Sequence, residues 1–322
     1  MNILITGGAG FIGFHLAKHL AGKGYKISIC DNLSRGKLDQ DFKNLVQQDN
    51  VKFIQADLTE KTELDKLEKG YDHVYHLAAI NGTRYFYEIP HQVLRVNLLS
   101  LINMLDWLRD SACKSFIWTS SSEVYAGTAK ILDIPIPTPE DVPSAIDDVF
   151  NPRFSYACTK IAGELLCINY AREYGLNINI IRPHNIYGER MAYEHVIPEF
   201  ITRIIRRENP FKIYGGTQTR AFCYVEDFIK GLKLVLESPV PSSEIINLGN
   251  DREEISIADL AEKLFDLFNF HPQIEILPSP KGSVDRRCPD IDRAKRLLGY
   301  EPQIYLEEGL RRTYAWYQRR SL

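Results

Sequence analysis

The sequence is poor in the residues that build disulfide frameworks and metal sites. Six cysteines are scattered over 322 residues. None forms a C-x-x-C pair, and neither they nor the eight histidines show metal-ligand spacing. The thiols therefore read as reduced, and no metal is expected. No apolar run approaches the ~18 residues that a spanning helix needs. The first residues enter a strand without a basic stretch or a cleavable apolar segment, so the expectation is a cytoplasmic protein with no membrane contact. Excess charge of one sign is also lacking. A formal net charge of -3 gives no reason to expect nucleic acid as a partner. There is no internal repeat and no low-complexity tract. What remains is an ordinary globular composition, 44% hydrophobic and 25% charged, long enough for one large domain or two lobes.

The most informative stretch comes first. Ile3-Leu4-Ile5-Thr6 runs into Gly7-Gly8-Ala9-Gly10-Phe11-Ile12-Gly13, and apolar residues at helical spacing (Ile12, Leu16, Leu20) follow. The pattern is strand, tight turn, helix. Gly8, Gly10 and Gly13 satisfy G-x-G-x-x-G, which lets backbone approach a pyrophosphate at a helix N-terminus. A strand over 25–30 then stops at Asp31, about 20 positions after the glycines, where a carboxylate can accept from adenosine ribose hydroxyls and repel a 2′-phosphate. Asp31 favours NAD over NADP, with Arg35 as a nearby counter-signal. Asp57 ends a third strand (51–56) and either meets the adenine amine or begins a turn.

A polar helix is expected over 60–69, a strand over 72–79 ending in Ala78-Ala79, a long helix over 90–109 containing Asn97, and a strand over 115–119. Asn97 is either bonded locally or orders a water near a lysine. A helix over 156–174 and a strand over 176–181 follow, then helices at about 198–207, 256–268 and 306–319 and a strand at 211–214. Regular βαβ alternation implies an α/β fold with a doubly wound parallel sheet. Ligands of such sheets bind beyond the strands' carboxyl ends, so the glycine loop, Asp31, Asp57, Ala78-Ala79 and residues 120–123 converge on one crevice. The pattern changes after about residue 180, which implies a smaller α/β C-terminal lobe. The expected division is a cofactor domain at 1–180, with part of 211–248 returning to it, and a substrate lobe at 181–210 and 249–322.

Tyr156 and Lys160 stand at i and i+4, so both leave one helix face about one turn apart. An ammonium and a positive nicotinamide ring both favour a phenolate, which makes Tyr156 a candidate acid/base while hydride leaves the adjoining carbon. Ser121, flanked by Ser120 and Ser122, is the candidate hydroxyl for the same substrate oxygen. Glu123 offers a carboxylate there or caps the following turn.

These motifs together resemble the extended short-chain dehydrogenase/reductases, in the NAD-dependent nucleotide-sugar epimerase/dehydratase group, over nearly the whole chain. The resemblance rests on residues 6–13, 31–36, Asp57-Leu58, His76-Leu77-Ala78-Ala79, Ser120-Ser121-Ser122-Glu123-Val124-Tyr125, Tyr156 to Lys160 and Arg182-Pro183-His184-Asn185-Ile186-Tyr187-Gly188. It implies a Rossmann fold and bound NAD. The cofactor set it implies is Gly7, Gly10, Phe11, Ile12, Gly13, Asp31, Asn32, Asp57, Leu58, Leu77, Ala78, Ala79 and Asn97, with Tyr156 and Lys160. Ser121, Glu123, Tyr156 and Lys160 are the implied catalytic set. Asn185, Arg220 and Arg287 fall where the group contacts a nucleotide diphosphate or uronate, and guanidinium suits bidentate anion recognition. A homodimer through 90–109 and 156–174 is implied as well.

Within the group, 4,6-dehydratases carry an Asp where this chain has Ser122. UDP-glucuronate decarboxylases carry Thr-Ser-Glu-Val-Tyr against Ser121-Ser122-Glu123-Val124-Tyr125 here, although Ala126 and residues 80–84 depart from their pattern. The implied activity is modification of a nucleotide-diphospho-sugar, a UDP-sugar foremost, through a transient 4-keto sugar, ending in decarboxylation or C4 inversion. Rival readings are a 4,6-dehydratase, a net alcohol dehydrogenase and, least favoured, a non-catalytic dinucleotide-sensing protein.

Overall fold

The computed structural model describes residues 1–279 and 283–320. Strand and helix alternate as β1 (Asn2–Thr6), α1 (Phe11–Ala21), β2 (Lys26–Asp31), α2 (Gln40–Val46), β3 (Val51–Gln55), β4 (His73–His76), α3 (Thr83–Glu88), α4 (Pro90–Arg109), β5 (Ser115–Thr119), α5 (Thr128–Ile131), α6 (Phe154–Tyr174) and β6 (Ile178–Pro183). The chain continues as β7 (Ile186–Tyr187), α7 (Val196–Ile205), β8 (Phe211–Tyr214), β9 (Thr219–Ala221), β10 (Cys223–Tyr224), α8 (Val225–Glu237), β11 (Ile245–Leu248), β12 (Glu254–Ser256), α9 (Ile257–Leu267), β13 (Ile274–Leu277), β14 (Arg286–Arg287), α10 (Asp292–Leu298) and α11 (Leu306–Gln318).

Seven strands form one sheet in the order β11-β6-β5-β4-β1-β2-β3, and every neighbouring pair is parallel. Ile3 and Ile5 pack with Leu16 and Leu20 of α1, while Leu4 packs with Leu101 and Leu105 of α4. The strand's period of two thus feeds a separate core on each face. Strand order reverses between β1 and β4, the place where doubly wound sheets open a crevice.

The helix expected over 60–69 is a 3-10 segment, Lys61–Lys66. Its buried anchors, Leu64 and Leu67, are three residues apart, which suits three residues per turn. The strand expected over 72–79 ends at His76 because Leu77 N donates to Thr6 O and then leaves the ladder. Ser256 caps α9 as its position predicts, its Oγ accepting from Asp259 N at 3.0 Å. Among the described residues no helix is long and apolar enough to cross a membrane.

Two packing features place the site. A Cβ at Gly163 would lie 2.4 Å from Trp118 and 3.0 Å from Leu101, so the missing side chain lets α6 approach β5. A Gly163→Ala substitution is expected to cost about 1–3 kcal/mol by overpacking, read as a lower urea midpoint. Away from the main sheet, β14 lies parallel to β9 with Arg287 in register beside Arg220.

Candidate functional site

A cavity of about 260 Å³ opens at the carboxyl ends of the sheet. Its wall contains Gly7, Gly10, Phe11, Ile12, Gly13, Asp31, Asn32, Asp57, Leu58, Leu77, Ala78, Ala79, Tyr156 and Lys160. The glycines that the resemblance implies, Gly7, Gly10 and Gly13, line the cavity, whereas Gly8 of the G-x-G-x-x-G spacing does not. Gly7, with φ +69°, lines the cavity, and a Cβ there would come within 2.8 Å of Ala78 N. Gly8 faces Ile29 instead, where a Cβ would meet Cγ2 at 2.5 Å. A Cβ at Gly13 would sit 2.3 Å from Gly7 O. The working set is therefore Gly7, Gly10 and Gly13, spaced evenly by three, with Gly8 serving helix-to-strand packing.

This cradle fits a dinucleotide. Asp31 Oδ2 accepts from Ala9 N at 3.0 Å and Oδ1 from Leu33 N at 2.8 Å, so the acid braces the glycine loop while still facing the cavity. Burial pushes its carboxyl above the usual value, with the Leu33 and Ala9 bonds acting against that. Asp57 Oδ1 accepts from Thr59 N at 2.9 Å and Oδ2 from Asn32 Nδ2 at 3.0 Å, which fixes both residues at the mouth. Arg35 lies over the Tyr85 ring, 5.0 Å from its centroid. Asn97 turns elsewhere. It accepts from Ile80 N at 2.7 Å and donates to Ile80 O at 3.1 Å, pinning the chain beyond β4.

The reacting groups gather at the end of β5. Lys160, buried, donates from Nζ to Thr119 O at 2.7 Å and lies 5.4 Å from the Tyr156 ring centroid. Burial lowers its ammonium to about 7. Tyr156 stacks on Phe86 at 4.9 Å between centroids. Burial raises its phenol above the usual range, opposed by a hydrogen bond with Ser121. The triplet of serines is separated by partners. Ser120 donates to Glu164 Oε1 at 2.6 Å, whereas Ser121 bonds Tyr156 and accepts from Glu123 N at 3.1 Å.

Behind Tyr156 lies a cluster that no local motif announces. Glu123 Oε1 pairs with Arg287 Nη1 at 2.8 Å and with Arg153 Nη2 at 3.5 Å. Burial opposes ionisation of Glu123, yet Arg287 and Arg153 prevail and hold its carboxyl down at about 2. Arg220 donates only to neutral carbonyls, Thr219 O at 2.7 Å and Val284 O at 2.8 Å. Burial and the neighbouring Arg287 lower it to about 9. Two guanidiniums thus pair with one carboxylate, and Arg220 lies beside them. Among the described residues, Arg153 Nε and Arg287 Nη2 are buried with no hydrogen-bond partner. A side-by-side Arg220–Arg287 pair is unfavourable in itself, and the unpaired donors call for an anion. Asn185, at φ +45°, donates to Ala221 O at 3.0 Å, holding the turn between β6 and β7.

Sequence reasoning missed Arg153, although it stands three residues before Tyr156, and Arg190, for which no local signal exists. Arg190 pairs with Asp39, covers the Phe14 ring at 4.0 Å and lines the cavity with Nε unpartnered.

The model of the NAD dependent epimerase/dehydratase family matches residues 3–249. The UDP-glucuronate 4-epimerase of Thermodesulfobacterium geofontis is 36% identical over 321 residues, covering 97% of this chain and 95% of that protein. UDP-glucuronic acid decarboxylase 1 of Danio rerio is 33% identical over 322 residues, covering 99% of this chain and 73% of that protein. Among solved structures, UDP-glucuronic acid 4-epimerase from Bacillus cereus, in complex with UDP-glucuronic acid and NAD, superposes with a TM-score of 0.89 at 30% identity over 100% of both chains.

Proposed function

This chain belongs to the NAD-dependent epimerase/dehydratase family, and from that premise we propose that it acts on a UDP-hexuronate, oxidising C4 to a transient ketone, losing the C5 carboxyl and releasing a UDP-pentose. One observation carries this reading: Arg153 and Arg287 pair with the ionised Glu123, Arg220 lies in register beside Arg287, and among the described residues two buried guanidinium donors are without a hydrogen-bond partner. A substrate bearing both a diphosphate and a carboxylate satisfies that surplus.

NAD, held by Gly7, Gly10, Gly13 and Asp31, would supply the hydride acceptor. Tyr156 takes the C4 hydroxyl proton, Ser121 holds the same oxygen, and Lys160, anchored on Thr119 O, favours the phenolate. A C4 ketone stands β to the carboxylate. When the C5–C6 bond breaks, its electron pair moves into an enolate on O4, where Tyr156 and Ser121 can donate. Glu123 competes with the substrate carboxylate for Arg287, and like-charge repulsion favours departure of the carboxyl as neutral carbon dioxide. C5 then takes a proton from solvent water, Tyr156 gives back to O4 the proton it took, and the cofactor would end in its starting oxidation state. Ser122 is buried and carries no acid that could expel water, which weighs against dehydration.

In this reading residues 1–180 with β11 hold the cofactor, and 181–210 and 249–322 hold the sugar nucleotide. We propose further that it works in the cytoplasm as a homodimer packed through α4 and α6, a reading supported by Leu165 of α6, which is 59% exposed.

Incubation with UDP-glucuronate, followed by proton NMR, is expected to show a UDP-pentose. A C4 epimer instead establishes the second reading, 4-epimerisation, favoured by the Thermodesulfobacterium geofontis relative. No turnover on any UDP-sugar, with NADH accumulating on another alcohol, overturns both. Arg153→Met is expected to raise KM for UDP-glucuronate about tenfold, since a charge-assisted bond contributes about 1.5–3 kcal/mol. It should change inhibition by UDP-glucose, which lacks the carboxylate, far less.

A further inference from the structure

Glu164 is a buried acid that the proposed chemistry does not use. It lies one turn beyond Lys160 on α6, and its carboxylate is only 7% exposed. Oε1 accepts from Arg182 Nε at 2.8 Å and from Ser120 Oγ at 2.6 Å, and Oε2 accepts from Arg182 Nη2 at 2.6 Å. The bidentate fork fixes the carboxylate plane. Arg182 is itself held from β6, its Nη1 donating to Tyr125 Oη at 2.6 Å and to Glu140 O at 3.0 Å. The network thus runs from β6 through α6 to the end of β5, next to the serine that bonds Tyr156.

We propose that Glu164 is a positioning residue for the reacting centre: clamped by Arg182, it fixes the end of β5 through Ser120 and presents a carboxylate charge to the Lys160 ammonium. The groups around Lys160 leave that electrostatic role to Glu164. On α6, Tyr156 and Cys167 are held neutral by burial. From β5, Thr119 offers a carbonyl and Trp118 a ring face at 4.8 Å. From β4, His76 is kept neutral, lowered to about 3 by burial and then by Lys160 itself. Burial lowers Lys160 to about 7, and Cys167 and then Glu164 act in the opposite direction; burial keeps the Cys167 thiol neutral, which leaves Glu164 as the charged one of the two. A lysine balanced there loses its charge as pH rises through neutrality, so removing Glu164 moves that loss to lower pH.

The role in turnover rests on the proposed function, but the charge linkage can be read without substrate. Protein carrying lysine labelled with carbon-13 at Cε is titrated by NMR, and the Lys160 resonance is identified by its absence in Lys160→Met. In Glu164→Gln the Lys160 midpoint is expected to fall by about 1 pH unit. The alkaline limb of kcat should move with it, so that kcat at pH 8 drops about tenfold while KM changes less than twofold. Glu164→Asp should recover most of the midpoint. If Glu164→Gln does not fold, Glu164→Gln/Arg182→Met removes both buried charges; Glu164, one turn from Lys160, outweighs Arg182, so the midpoint is still expected to fall, by less than in the single variant. A Lys160 midpoint and kcat limb unchanged in a folded variant overturn the proposal. If the wild-type protein turns over no UDP-sugar, the functional reading fails while the carbon titration still decides the linkage.

Discussion

Tyr156→Phe is expected to lower turnover of UDP-glucuronate by on the order of a thousandfold, about 4 kcal/mol of barrier, with the fold and NAD content retained. In the proposed mechanism the Tyr156 oxygen, as phenolate, takes the C4 hydroxyl proton, and a benzyl ring keeps everything else. Tyr156 stacks on Phe86 through its ring, so packing survives the loss of one oxygen. Ser121 still accepts from Glu123 N, which keeps the strand end in place. A rate loss at unchanged thermal midpoint and unchanged NAD stoichiometry separates the proton-transfer role from a structural one. Retention of more than a tenth of the activity would assign the proton transfer to another group.

Gly7→Ala is expected to yield protein with less than about a tenth of the wild-type NAD content. A left-handed conformation costs a non-glycine residue about 1–2 kcal/mol, and here φ is +69°. Space is lacking as well: the new Cβ would lie 2.8 Å from Ala78 N and 2.9 Å from Ala78 Cα. Both atoms belong to backbone, which cannot swing aside as a flexible side chain can. Relief requires the β1 turn and the end of β4 to part, and both line the cavity. Perchloric acid extraction and enzymatic assay of released NAD give the measurement. Gly8→Ala is the informative contrast, because its neighbour is the side chain of Ile29 and the damage should fall on stability before cofactor content.

What was legible in the sequence was local. The strand-turn-helix at the start, the i, i+4 Tyr156 and Lys160 pair and the Ser256 cap each depend on residues within one turn or one loop. Their geometry follows from backbone periodicity. The G-x-G-x-x-G spacing alone picks Gly8, whereas the resemblance names Gly7; the choice between them depends on where Ala78 and Ile29 come to lie. Asn97 looked available from its helix, but its partner Ile80 arrives from the preceding strand connection. The arginine cluster was illegible for a related reason. Arg153 and Arg287 reach Glu123 from α6's entry and from β14, and only the pairing of β14 with β9 brings Arg220 beside Arg287. The resemblance had singled out Arg220 and Arg287, but neither it nor spacing pointed to Arg153 or to the Glu123 pairing. Ser120 and Ser121 have the same side chain, and what separates them is Glu164, 44 positions on, which accepts from Ser120 alone of the two.

The central claim is a C4 oxidation whose hydride never leaves the enzyme, and UDP-glucuronate carrying deuterium at C4 tests it most directly. Turned over in the presence of excess unlabelled NADH, the enzyme is predicted to return the deuterium to C4 of the UDP-pentose, or of the C4 epimer. Product that has lost the label, with deuterium appearing in the free nicotinamide pool, would contradict an internally recycled cofactor. Product formed with deuterium never having left C4, shown by the absence of any isotope effect on turnover together with full activity in Tyr156→Phe, would contradict the 4-ketone itself.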